Sequence, residues 1–198
     1  MLTSKAKFMF LKRLAAIAIS VLCYLTLCEA ALAADSFTIS KRGGAVVVEG
    51  RKEADTHRPA VVILSGSSGF RSPAYDEITK AFQSAGLDVY LLHVLSPTDL
   101  KRIADAGGAK ERIAYYASRE ADWIAAVQDV VAYLATATGP ARKIGVLGIS
   151  LGAQIAAAAA VNSANVTALV LVDGGLPNGY SGTVKSLPPL LLIWGRAD

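Results

Sequence analysis

Lys143 to Ala160 reads KIGVLGISLGAQIAAAAA, and the reading of this stretch decides the fold. A short apolar run meets Gly148-Ile149-Ser150-Leu151-Gly152 and continues directly into an alanine-rich segment. Those residue types describe a strand that turns at once into a helix. Such a turn leaves no room for side chains where strand and helix touch, which is why Gly148 and Gly152 flank Ser150. The serine hydroxyl is thereby held out above the end of the strand. Agreement of strand, turn and helix together is far more specific than five residues matching G-x-S-x-G.

Working outward, Glu120 to Thr136 carries Trp123, Ile124, Val127, Val130, Val131 and Leu134 on one apolar face, and Gly139-Pro140 ends that helix. Downstream, Val166 to Val172 reads as a strand closing in Asp173-Gly174-Gly175, and Leu190 to Trp194 as another before Gly195-Arg196-Ala197-Asp198. Upstream, Ala60 to Leu64 is a continuous apolar run of the kind covered on both faces, followed by the loop Ser65-Gly66-Ser67-Ser68-Gly69-Phe70. Tyr75 to Ser84 has helical spacing with Gly86 past its end, and Val89 to Val94 is a further buried strand. Ser36 to Glu49 alternates around Gly43-Gly44 as an antiparallel hairpin at a sheet edge, joined by the polar link Arg51 to Arg58. Leu95 to Ser118 gives no clear element. Strands alternating with helices predict an α/β domain with a mainly parallel sheet and helices on both faces.

The first 33 residues have the composition of an export signal. Lys5, Lys7, Lys12 and Arg13 precede the apolar stretch Leu14 to Leu27, and Ala31-Leu32-Ala33 is an A-x-A cleavage signal. The expectation is a periplasmic or secreted protein, cleaved after Ala33, with residues 34–198 as the mature domain and no membrane association after cleavage. Cleavage removes those four cations and Glu29, so the formal net charge falls from +4 to +1. The mature chain then offers no electrostatic argument for nucleic-acid binding. Cys23 and Cys28 both lie in the leader, which excludes a disulfide or cysteine metal site in the mature chain. No metal or organic cofactor is expected, and the oligomeric state is open.

In a parallel sheet, functional groups gather at the carboxyl ends of the strands. Ser150, the Ser65 to Gly69 loop, Asp173 and Asp198 all fall there. With these pieces in place the chain resembles the α/β-hydrolase family, and within it the dienelactone-hydrolase-like and serine-esterase branches. The resemblance spans roughly Arg58 to Asp198. PAVVILSGSSG resembles the strand and oxyanion loop that usually reads H-G-x-x-G, GISLG the nucleophile elbow, and PPLLLIWGRAD the strand and G-x-x-D turn bearing the catalytic acid. It implies hydrolysis of a small ester or lactone, with Ser150 as nucleophile, Asp198 as acid and Asp173 as alternative acid. The backbone N–H of Leu151 and one from Ser67 or Ser68 would form the oxyanion hole. Dienelactone hydrolases proper use cysteine, so Ser150 points to the serine-ester side.

The chemistry requires a base, because a serine hydroxyl is a poor nucleophile until its proton is taken. The family order is serine, acid, histidine, and no histidine follows Asp198. His57 precedes the first central strand; His93 ends one and is the better substitute, though both read first as ordinary surface or packed histidines. An apolar strand four residues from the end, short of the elements that would cover it, favours a hydrolase truncated before its last strand, helix and histidine, with weak or no activity. A non-catalytic binding protein on the same scaffold is the alternative. Arg71 reads as a solvated loop arginine that could meet a substrate carboxylate. Gly145, Gly148 and Gly152, with Asp173 some 20 residues on, imitate a dinucleotide fingerprint, but Ser150 stands where its middle glycine belongs.

Overall fold

The computed structural model describes residues 35–41, 44–50, 58–136 and 142–195. The predicted leader, His57, Gly139-Pro140 and Asp198 lie outside these residues. In chain order the elements are β1 (Ser36–Lys41), β2 (Gly44–Glu49), β3 (Ala60–Leu64), α1 (Ala74–Ser84), β4 (Asp88–His93), α2 (Pro97–Ala104), α3 (Ala109–Thr136), β5 (Ile144–Ile149), α4 (Leu151–Ala160), β6 (Ala168–Val172) and β7 (Leu190–Ile193).

Among the described residues, seven strands form one sheet in the order β1-β2-β4-β3-β5-β6-β7. The β1–β2 hairpin pairs antiparallel from Ser36 with Glu49 to Lys41 with Gly44, and β2 pairs antiparallel with β4. From β4 onward every pairing is parallel. The hairpin lies at the edge, as its alternation predicts: Val46 and Val48 are buried while Val47 is exposed.

All five residues of β3 are buried, matching a strand covered on both faces. One face of the sheet, including Val62, Leu64, Tyr90, Leu92, Ile144 and Val146, packs with Trp123, Val127 and Val130 of α3 and with α4. The other presents Val61, Ile63, Val89 and Leu147 to Tyr75, Ile78 and Phe82 of α1. Each fully buried side chain of this kind contributes about 1.5–3 kcal/mol. In α4 every residue except Gln154 is buried, so a helix apolar on all sides sits between the sheet and α3, and its run of alanines permits close approach.

The segment Leu95 to Ser118 is not a loop, as its sequence left open. It contains α2 and the first turns of α3, which extends well upstream of Glu120. Those first turns were illegible because Lys110 to Ala114 are exposed and carry no apolar stripe. A local signal was present. The Ser96 side chain accepts from the Asp99 N–H at 3.1 Å and the Asp99 carboxylate accepts from the Ser96 N–H at 2.8 Å, a capping box with Pro97 at the first helical position.

At the amino end of the sheet, Arg142 is buried and fully engaged. Its Nε donates to the Arg58 carbonyl at 2.7 Å, one terminal nitrogen donates to the Tyr90 hydroxyl at 3.0 Å, and the other pairs with Asp88. At the sheet's far edge, β7 is exposed on all four of its residues, and Trp194 beyond it is 58% exposed.

Candidate active site

Ser150 stands between β5 and α4 at φ 54°, ψ −116°, a conformation that L-residues rarely adopt and that costs of order 1–3 kcal/mol. Surrounding backbone enforces it. The Ser150 N–H donates to the Val172 carbonyl at 2.8 Å, and its own carbonyl accepts from the N–H groups of Ala153 at 2.9 Å and Gln154 at 3.3 Å. A Cβ on Gly148 would lie 2.4 Å from the Gly152 oxygen, and one on Gly152 would lie 2.5 Å from the Ser65 oxygen. Both glycines are therefore required by backbone packed on backbone. Gly174 joins them: its Cβ would come within 2.6 Å of the Ala153 Cβ and 2.9 Å of the Ser150 oxygen. The sequence offers Asp173 as an alternative acid but does not reveal this requirement at Gly174, which arises from a contact between distant segments.

The side chain of Ser150 is exposed at the carboxyl end of the sheet. Leu151 opens α4, so its N–H belongs to the first-turn donors that a helix leaves without an internal partner. The loop after β3 lies against the elbow. A Cβ on Gly66 would sit 3.6 Å from both the Ile149 oxygen and the Ser150 Cβ. The Gly66 N–H donates to the buried Tyr75 hydroxyl at 3.0 Å, and the Gly69 N–H donates to the Gly66 carbonyl at 3.0 Å. Ser67 and Ser68 thus follow a residue pinned beside the serine. Tyr75, buried at the start of α1, anchors that loop.

Asp173 occupies the end of β6, the neighbour of β5, at φ 50°. Its N–H donates to the Ile193 carbonyl at 2.9 Å and its exposed carboxylate accepts from the Gly195 N–H at 3.3 Å. It ties the end of β6 to the backbone just beyond β7. His93 sits at the correct rim but one strand too far. With β3 between β4 and β5, its backbone is two strand spacings, about 10 Å, from β5. Its Nε2 lies 3.0 Å from the Glu49 carboxylate, and its ring packs edge-on against Phe70 at 5.0 Å. The structure pairs this histidine with Glu49 and does not bring it to Ser150.

Next to the loop lies a cavity of about 430 Å³, lined by Ser67, Ser68, Arg71, Leu100, Ile103 and Arg112 among others. Ser150 is not part of its wall. Two helices that line it are joined by a buried carboxylate: Asp99 of α2 accepts from the Tyr115 hydroxyl at 2.7 Å and Arg119 Nε at 3.1 Å, both on α3, besides its bonds from Ser96. Burial by itself raises the Asp99 pKa, but these hydrogen bonds outweigh it and hold the carboxyl below its usual range. Arg71 is tethered rather than merely solvated, its Nε donating to the Ser68 carbonyl at 3.1 Å. Among the described residues, no group of three or more His, Cys, Asp or Glu side chains is placed to hold a metal ion.

The fold agrees with known proteins. Residues 127–186, from the core of α3 through the elbow to the loop after β6, match the family described as BAAT / Acyl-CoA thioester hydrolase C terminal. A dienelactone hydrolase-like promiscuous phosphotriesterase, P91 from metagenomic libraries, superposes with a TM-score of 0.60 at 19% identity, over 84% of this chain and 70% of that one. A dienelactone hydrolase from Anabaena variabilis gives 0.54 at 22% identity, over 84% and 76%. A cold-adapted esterase from an Arctic intertidal metagenomic library gives 0.52 at 16% identity, over 69% and 58%. No curated protein matches the sequence. The chain therefore has the α/β-hydrolase fold of the dienelactone-hydrolase-like proteins, as the three quoted motifs implied.

Proposed function

We propose that this chain is an exported serine hydrolase acting on small carboxylic esters or lactones through an acyl-enzyme. Ser150 is the nucleophile, and the N–H groups of Leu151 and of Ser67 or Ser68 stabilise the oxyanion. Asp198 orients the base, with Asp173 as the alternative acid. The observation that carries this reading is the strained, exposed Ser150 at a strand-to-helix apex, beside a helix N-terminus and against the Gly66 loop. Groups already in place where negative charge develops are what acyl transfer requires, and losing one such donor typically costs about 100- to 1,000-fold in rate.

The base in this reading is a histidine that the described residues do not bring to Ser150, since His93 pairs with Glu49. Without a base within reach of Ser150 the chain is weakly active or inactive, since removal of the triad histidine costs about a million-fold in subtilisin, which uses the same chemistry. The engagement of His93 by Glu49 favours a second reading, a binding protein on the hydrolase scaffold that does not turn over. Treatment with a fluorophosphonate probe tests the first. Slow but complete labelling of Ser150, absent in Ser150→Ala, is the expected result; a chain that binds small esters reversibly and never labels is a binder. Export is tested separately by N-terminal sequencing of the protein recovered outside the cytoplasm, which should begin at Ala34.

A further inference from the structure

The described residues include all three asparagines of the chain, and the fold treats them unequally. The side chain of Asn162 is fully occupied. Its Nδ2 donates to the Thr183 carbonyl at 2.8 Å, and its Oδ1 accepts from the N–H groups of Lys185 at 2.9 Å and Ser186 at 3.0 Å. Asn165 is followed by Val166, a stiff β-branched residue that is itself buried. Asn178 has neither restraint. It is exposed in the turn Pro177-Asn178-Gly179-Tyr180, which the Tyr180 N–H closes by donating to the Pro177 carbonyl at 3.1 Å. Gly179 stands at φ 79° while Asn178 is not left-handed, the pattern of a type II turn, whose third position calls for glycine. Among the described residues neither the Asn178 carboxamide nor the Gly179 N–H has a hydrogen-bond partner, and a Cβ on Gly179 would meet nothing within 4 Å.

These are the conditions under which an asparagine is attacked by its own main chain: an untethered carboxamide, an unbonded amide nitrogen next in the chain, and no side chain in the way. We propose that Asn178 is a site of spontaneous covalent modification, converted to aspartate and isoaspartate while Asn162 and Asn165 are spared. Hydroxide removes the Gly179 N–H proton, and the nitrogen attacks Asn178 Cγ. The new N–Cγ bond forms as the Cγ–Nδ2 bond breaks, Nδ2 takes up a proton from water, and ammonia leaves a succinimide ring. Water then opens that ring. Cleavage at the N–Cγ bond restores the ordinary main chain with an aspartate, and cleavage on the other side of the nitrogen gives isoaspartate, whose main chain runs through Cβ and Cγ. Either product puts a carboxylate where a neutral amide stood, and isoaspartate also lengthens the turn by a methylene. Asp173-Gly174 shows that a following glycine does not suffice. There Gly174 is buried against Ala153 and the Asp173 carboxylate accepts from the Gly195 N–H, so neither group is at liberty to approach the other. The inference concerns the turn alone and does not rest on the hydrolase reading.

Peptide mapping by mass spectrometry, on the full chain aged in mildly alkaline buffer, tests it. Loss of ammonia should be about tenfold or more faster at Asn178 than at Asn162 or Asn165. The rate should climb with pH, because the first step needs hydroxide. An isoaspartyl methyltransferase supplied with a labelled methyl donor should modify the aged chain and not the fresh one. Asn178→Gln, whose longer side chain closes a ring far more slowly, should remove that labelling without changing the melting temperature, since the side chain is exposed and makes no hydrogen bond. In urea the rate at Asn162 should rise as its bonds break, and the rate at Asn178 should rise much less. An unaltered Asn178, an equal or faster reaction at Asn162 or Asn165 in the folded chain, or a rate at Asn178 that climbs in urea as steeply as at Asn162 would overturn the proposal.

Discussion

The two ends of the sheet use the same kinds of residue to opposite purposes. At the amino end, Arg142 is 5% exposed and satisfied by Asp88, Tyr90 and the Arg58 carbonyl. At the carboxyl end, Arg71 and Arg112 are exposed without a carboxylate partner among the described residues, and Ser150 is held in a conformation that costs energy. One end has its polar groups closed upon themselves; the other keeps strain and unpaired charge open to a ligand. The division matters because a buried charge must be compensated inside the protein, while an exposed cation can await an external partner.

Substitutions at the two ends should therefore separate activity from stability. The largest effect is expected from Ser150→Ala, which should abolish fluorophosphonate labelling altogether, with denaturant unfolding showing unchanged or slightly raised stability. A marked loss of stability would mean that the serine supports the elbow rather than being strained by it. Arg142→Ala should do the reverse, lowering stability by about 3–5 kcal/mol because Asp88 is left without its buried partner, while Ser150 labelling of the folded fraction is retained. Gly174→Ala combines both consequences in smaller measure. Its added methyl should cost about 1–3 kcal/mol and slow labelling by displacing the Ser150 carbonyl or Ala153, and a neutral outcome in urea would show that this contact relaxes freely.

The smallest effect concerns Asp99, the buried carboxylate that joins α2 to α3. The folded pKa of Asp99 is depressed, so its contribution to stability is fully present above the unfolded value of about 3.9 and is lost as pH falls through the lower folded value. Urea midpoints measured from pH 5 down to pH 2 should show this loss below about pH 4, and Asp99→Asn should flatten that part of the profile.

How far the sequence led depends on the distance over which each signal acts. The elbow, the doubly covered β3, the edge hairpin and α1 were legible because local period and glycine placement determine them. The first turns of α3 were not, since Lys110 to Ala114 are exposed and carry no apolar stripe. In the site, Ser150, the loop after β3 and Asp173 fall on one rim as expected, with Asp198 outside the described residues. What sequence reading missed were long-range pairings: Gly174 against Ala153, Tyr75 on Gly66, and His93 with Glu49. None leaves a periodic trace, because each joins segments that only the finished sheet brings together.

The packing of Gly148, Gly152 and Gly174 has one more consequence. With main chain lying directly on main chain, no rotamer can loosen the elbow while the sheet survives. Heat should therefore not inactivate the serine ahead of the fold. Loss of labelling and loss of the circular-dichroism signal should share a single midpoint, and the elbow should behave as part of the most slowly exchanging core rather than as a loop resting upon it.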